Sequence, residues 1–115
     1  MGQATDMPIE LDSLPGSDES RKFEGAGFGS KVSFFHVYGP PGSGPPLHRH
    51  PYEETFIIES GAVLFTVDGV EIEAGPGQIV IAPPDTPHKF VNHGEETLHL
   101  IGIHSAPRME QEDLE

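Results

Sequence analysis

Glycine and proline break this sequence so often that no long helix has room to form. Fourteen Gly and twelve Pro are spread over 115 residues, a share that in a featureless chain would point to disorder. The segments between them are short, apolar and rich in β-branched and aromatic residues, which suits strands. Residues 32–38, 55–58, 62–67, 70–73, 78–82, 88–92 and 97–104 read as strands bounded by turn residues. Asp68-Gly69, between two of them, is the strongest two-residue hairpin signal. Residues 9–14 read as a further edge strand, 15–20 as a turn-rich connection and 21–28 as a glycine-interrupted segment. Roughly eight or nine strands at spacings of about eight to twelve residues predict an all-β sandwich or small antiparallel β-barrel. One domain is expected, with an N-terminal arm and edge strands in 1–30, the barrel in 31–106 and an acidic tail, helical or frayed, in 107–115.

Charge narrows the partners. Six Lys and Arg against nineteen Asp and Glu leave a formal net charge of −13. Such a chain repels phosphate backbones and anionic bilayers, so neither nucleic acid nor a membrane is expected as a partner. Cysteine is absent, which excludes disulfides, thiolate nucleophiles, zinc–thiolate sites and iron–sulfur clusters. The first residues carry neither a basic end nor an apolar run, so a cytoplasmic location is expected. The acidic runs at 12–19 and 110–115 read as solvated ends.

The chemistry concentrates in the middle of the chain. His48 and His50 are two apart on an apparent strand, so both imidazoles leave one face and can converge. Glu54 shares their parity but would lie about 13 Å beyond His50 on a straight strand. Pro51 supplies a bend, because it lacks an N–H, fixes its own φ and restricts the residue before it. His88 follows a proline turn, and a closed barrel can carry it to the opposite side of the same point. Three imidazoles and one carboxylate suit a borderline divalent ion with coordination positions left over.

The stretch Gly42-x5-His48-x-His50-x3-Glu54-x6-Gly61 resembles the first motif of the cupin superfamily, and Gly77-x5-Pro83-x4-His88-x3-Asn92 resembles its second. Asp85 stands where the second motif usually has Gly, and Asp tolerates the left-handed conformation that such a turn needs. Residues 62–76 separate the motifs, a short spacing like that of small single-domain bacterial cupins. The resemblance implies a small jelly-roll barrel (a double-stranded β-helix) and ligand roles for His48, His50, Glu54 and His88 around one divalent transition metal ion. Fe, Mn, Ni, Co, Cu and Zn all suit those donors. Metal cupins include dioxygenases, decarboxylases, isomerases and proteins without assigned activity. The leading expectation is a dioxygenase-type enzyme acting on a small molecule, with Glu54 also serving as catalytic base. A metal-binding or ligand-binding sensor or store, and a metal-dependent isomerase or decarboxylase, are the alternatives.

Pocket candidates are Phe34, His36, Tyr38, Phe56, Phe90 and His104. Phe34, His36 and Tyr38 share one face of their strand, which either points into the cavity or is simply half-buried. His99 and His104 have opposite parity, so at most one faces inward, and His104 is the candidate. Phe56, Ile58, Phe65, Ile79, Ile81, Phe90, Ile101 and Ile103 read as barrel filling. Glu53 and Arg49 are expected to face outward, Arg49 towards a partner chain, and His93 to lie in an exposed turn. Because an open barrel leaves edge strands, a homodimer is expected, the N-terminal segment covering a neighbour's edge.

Overall fold

The computed structural model describes residues 7–115, and its regular structure is almost entirely β. Eleven strands run as β1 (Gly16–Ser17), β2 (Ser20–Phe23), β3 (Ser33–Gly39), β4 (His48–Arg49), β5 (Glu54–Ser60), β6 (Val63–Val67), β7 (Val70–Ala74), β8 (Ile79–Ala82), β9 (His88–Asn92), β10 (Leu98–His104) and β11 (Glu112–Asp113). They form a six-stranded sheet in the order β1-β2-β3-β10-β5-β8 and a five-stranded sheet in the order β11-β4-β9-β6-β7, with antiparallel pairing throughout. Among the described residues no helix is long and apolar enough to cross a membrane.

The inner faces follow the two-residue period of a strand. Phe56 and Ile58 of β5, Val63, Phe65 and Val67 of β6, Val80 and Ala82 of β8, and Leu98 and Leu100 of β10 make one core, closed by Ala74. Asp68 and Gly69 turn β6 into β7 with φ of 51° and 76°, the doubly left-handed geometry that matches strand twist, and Val67 pairs with Val70. Asp85 has a φ of 57°, so the position where a glycine is usual keeps its left-handed turn.

Several expectations are corrected. Residues 9–14 form no strand: Leu11–Ser13 is a 3-10 turn, because the Ser13 and Leu14 amides close back on the Glu10 and Leu11 carbonyls. The expected connection at 15–20 holds β1, which pairs with β2 as a hairpin on the edge of the larger sheet. The acidic tail is neither helical nor frayed, since β11 pairs with β4 and the Leu114 amide donates to Leu47 O at 2.8 Å. Ile79 and Ile81 are 63% and 57% exposed, whereas Val80 and Ala82 between and beyond them point inward. Ile101 and Ile103 are half-buried on the outer face of β10, opposite Leu100 and Gly102. Alternation alone does not choose the inner face of β8 or β10, because both strands carry apolar residues on both faces.

Candidate metal centre

The site lies where the two sheets close on each other. In the smaller sheet His48 of β4 stands opposite His88 of β9. In the larger one Glu54, at the start of β5, stands opposite His104 of β10 on one side and Ala82 of β8 on the other. Between them the chain bends at Pro51 and Tyr52, and this bend carries the Glu54 carboxylate back to within 3.1 Å of His50 Nε2. His88 Nε2 lies 3.1 Å from the same oxygen, Oε1. His48, His50, Glu54 and His88 are all buried, and one donor atom from each lies within 4.8 Å of all the others.

The outer nitrogens of the three imidazoles are already committed. His48 Nδ1 donates to Pro46 O at 2.7 Å, His50 Nδ1 to Glu110 O at 2.7 Å and His88 Nδ1 to Thr86 O at 2.8 Å. A carbonyl only accepts, so each Nδ1 carries its proton and each Nε2 presents either a lone pair or a second proton towards the centre. Backbone carbonyls behind metal-bound histidines fix them in this way. Three Nε2 lone pairs and a carboxylate oxygen converging at this separation fit one divalent transition metal ion.

His104 approaches from the other side. Its Nε2 lies 3.1 Å from Glu54 Oε2, off the ideal hydrogen-bond direction and with no other partner. Its Nδ1 is 2.6 Å from the Tyr52 hydroxyl, which also accepts from the Glu110 amide at 3.2 Å. The Tyr52 ring stacks on His50, with centroids 5.2 Å apart and planes 7° from parallel. The two carboxylate oxygens are thereby divided, Oε1 towards His50 and His88 and Oε2 towards His104.

Electrostatics follow from burial and these contacts. Burial alone would push the Glu54 carboxyl up, but His104, His50 and His88 more than offset it and hold it well below the ordinary carboxylate range. His50 is likewise penalised by burial, yet Glu54 and the Glu110 carbonyl raise its pKa overall. His48 is lowered, chiefly by burial, with the Pro46 carbonyl opposing and the charges of His88 and His50 adding. Burial raises the Tyr52 hydroxyl.

A cavity of about 330 Å³ opens above the cluster. Phe56, Phe90 and His104 line it, together with His48 and Glu54. Phe34, His36 and Tyr38 do not: the lining residues of β3 are Phe35, Val37 and Gly39, so the opposite parity faces the cavity. Phe34 stacks on Phe23 at 4.8 Å. His36 and Tyr38 gather with His99 outside the cavity, His36 Nε2 and His99 Nε2 being 3.0 Å apart. His93 and Glu53 are exposed. Arg49 faces outward as expected, but it pairs with Glu112 of its own tail at 2.8 Å.

Three contributors escaped the sequence reading. Tyr52, two residues after His50, could have been suspected from that spacing. Gly102 gives no such signal: a Cβ there would overlap Glu54 Oε2 and press on the Phe56 ring. Glu110 acts through backbone atoms alone.

With this geometry in hand, similarity to known proteins is specific in fold and broad in chemistry. A family model described as a cupin domain matches residues 35–104. Over 88 residues the chain is 36% identical to the uncharacterized protein MJ1618 of Methanocaldococcus jannaschii, covering 76% of this chain and 70% of that one. It is 37% identical over 80 residues to the dimethylsulfoniopropionate lyase DddQ of Ruegeria pomeroyi, covering 68% of this chain but only 40% of the lyase. Among solved structures, Bacillus subtilis oxalate decarboxylase, studied for its Mn(II) centres, superposes with a TM-score of 0.77 at 23% identity, over 90% of this chain and 30% of that one. Matched motifs, two-sheet architecture and the converging His48, His50, Glu54 and His88 agree, and the chain belongs to the cupin family.

Proposed function

We propose that this cupin is a metal-dependent small-molecule enzyme of dioxygenase type, with His48, His50, Glu54 and His88 holding one divalent transition metal ion. The observation that carries this reading is the set of three Nδ1–H groups tied to backbone carbonyls, which leaves three buried Nε2 atoms and Glu54 Oε1 aimed at one point beneath the cavity. A bound ion would supply Lewis acidity and, with iron or manganese, redox chemistry towards dioxygen. The protein's own part is to orient and to exclude water. Phe56, Phe90 and Leu100 dry the cavity, and His104 Nε2 stands 3.1 Å from Glu54 Oε2. Glu54 then has one oxygen for the metal and one through which a proton can be taken from a bound molecule.

The test is elemental analysis of protein purified without a metal-affinity tag, beside a His48→Ala/His88→Ala protein. Close to one metal per chain in the wild type, lost in the double variant, is expected. Absence of metal from both, with none taken up on reconstitution, would sink the reading and leave a metal-free binding barrel. A Glu54→Gln protein that keeps its metal but loses turnover is the result expected of a base.

A redox-neutral reaction is the second reading, favoured by the similarity to a decarboxylase and a lyase. Activity that persists without oxygen would select it.

A further inference from the structure

The cavity has no cation of its own to offer a ligand. None of the six Lys and Arg lines it. Arg21 pairs with Asp18, Lys22 with Glu24, Arg49 with Glu112 and Lys89 with Glu115, in contacts between 2.8 and 3.7 Å. Lys31 and Arg108 are exposed. Phe35, Val37, Phe56, Phe90 and Leu100 supply its apolar wall, Ser20, Ser43 and Gln111 its uncharged polar side chains, and the carboxylates that line it are Glu54 and the solvent-exposed Glu19.

Charge counting at the site follows. Three neutral imidazoles, one carboxylate and a divalent ion sum to a single positive charge. One negative charge on a bound molecule is neutralised there, and a second is not. A second carboxylate would have no cationic partner: Ser43 Oγ and Gln111 Nε2 already donate to Pro40 O and Asp113, and the rest of the wall is largely phenyl and aliphatic, where an uncompensated charge is disfavoured. Glu19 adds repulsion at the opening.

We infer that this cavity selects a molecule with a single anionic oxygen head and an uncharged apolar body, and that it rejects dicarboxylates. The inference rests on the metal-dependent reading above and names its substrate class. A volume of about 330 Å³ is at the small end for ligand sites and suits a body of roughly one aromatic ring.

Three probes with the same benzoate head separate charge from size: 4-methylbenzoate, 4-carbamoylbenzoate and terephthalate. Each is titrated calorimetrically into protein whose Zn(II) content has first been measured. Terephthalate is expected to bind about a hundredfold more weakly than 4-methylbenzoate, with the uncharged amide between them. Val37→Arg, or the milder Ser20→Arg at the half-buried edge of the cavity, supplies the missing cation and should narrow that ratio about tenfold. Both residues line the cavity and are only partly buried, Val37 packing against the core and Ser20 not, so Ser20→Arg remains if Val37→Arg fails to fold. Terephthalate binding as tightly as 4-methylbenzoate, none of the three binding to loaded protein, or both arginine variants leaving the ratio unchanged would overturn the inference while the metal reading stands. A chain that takes up no metal overturns both.

Discussion

Glu54 is asked to do two things with two oxygens, and the residue beside it makes that division possible. Oε1 faces His50 and His88, each at 3.1 Å, and Oε2 faces His104. The carboxylate fits between β5 and β10 only because Gly102 lacks a side chain. Added volume there has two ways out, to shift Phe56 or to turn the carboxylate, and the carboxylate is the more mobile of the two. Gly102→Ala is therefore expected to cost the metal-free fold no more than about 1–3 kcal/mol, as overpacking does, while weakening metal binding by roughly tenfold or more. Competition with a fluorescent chelator, next to urea melts of the metal-free protein, separates the two effects. Unchanged metal affinity in a folded variant would mean that Oε1 keeps its place without help from Oε2.

At the scale of elements, the short strand β11 matters more than its exposed acidic sequence suggests. β4 is only two residues long and carries His48, with His50 just beyond its end. On one side it is paired with β9 and on the other with β11, and Glu110 O accepts a hydrogen bond from His50 Nδ1–H. The surface pairs Arg49–Glu112 and Lys89–Glu115 add little by themselves. Backbone pairing and the single carbonyl behind His50 are what hold the ligand strand. Removing residues 110–115 is expected to weaken metal binding about 10–100-fold and to leave the far hairpin of β6 and β7 intact. Metal affinity and amide exchange measured on the truncated chain check both halves, and full metal affinity after truncation would reduce β11 to decoration. This element also marks where sequence reading stopped. The His48, His50, Glu54 and His88 cluster is legible because it is written in side chains at fixed spacings around a proline bend. Glu110 contributes a carbonyl, which every residue has, and two paired residues of tail carry no periodic signal. The same limit explains β3, β8 and β10, where alternation was visible but apolar residues on both faces left the inner face unmarked.

Over the whole molecule the metal and the proton compete for one pocket, and the shifts at His50 and Glu54 set the direction of that competition. His50 is raised above its ordinary 6.5 through Glu54 and the Glu110 carbonyl, against the opposing effect of its burial. In metal-free protein its proton, shared with an ionised Glu54, thus stabilises the fold fully below the unfolded value and is lost as pH rises through the folded one. The depressed Glu54 carboxyl contributes in full above its ordinary 4.5, and that contribution shrinks steadily as pH falls from there into strong acid. His48 works against acid stability, since burial makes it slower than the unfolded chain to accept a proton as pH falls below 6.5. Metal binding must expel the His50 proton, so it competes with that proton at every pH below the folded His50 value, and the stabilisation by metal grows as pH rises towards it. Thermal melts of both forms from pH 5 to pH 8 should show the stabilisation by metal widening with pH, by up to about 1.4 kcal/mol per pH unit while one proton is displaced. The widening should run through the acid side of this range and level off once pH passes the His50 value, which lies above the ordinary 6.5. A difference that stays flat across this range would place the ion away from His50 and Glu54.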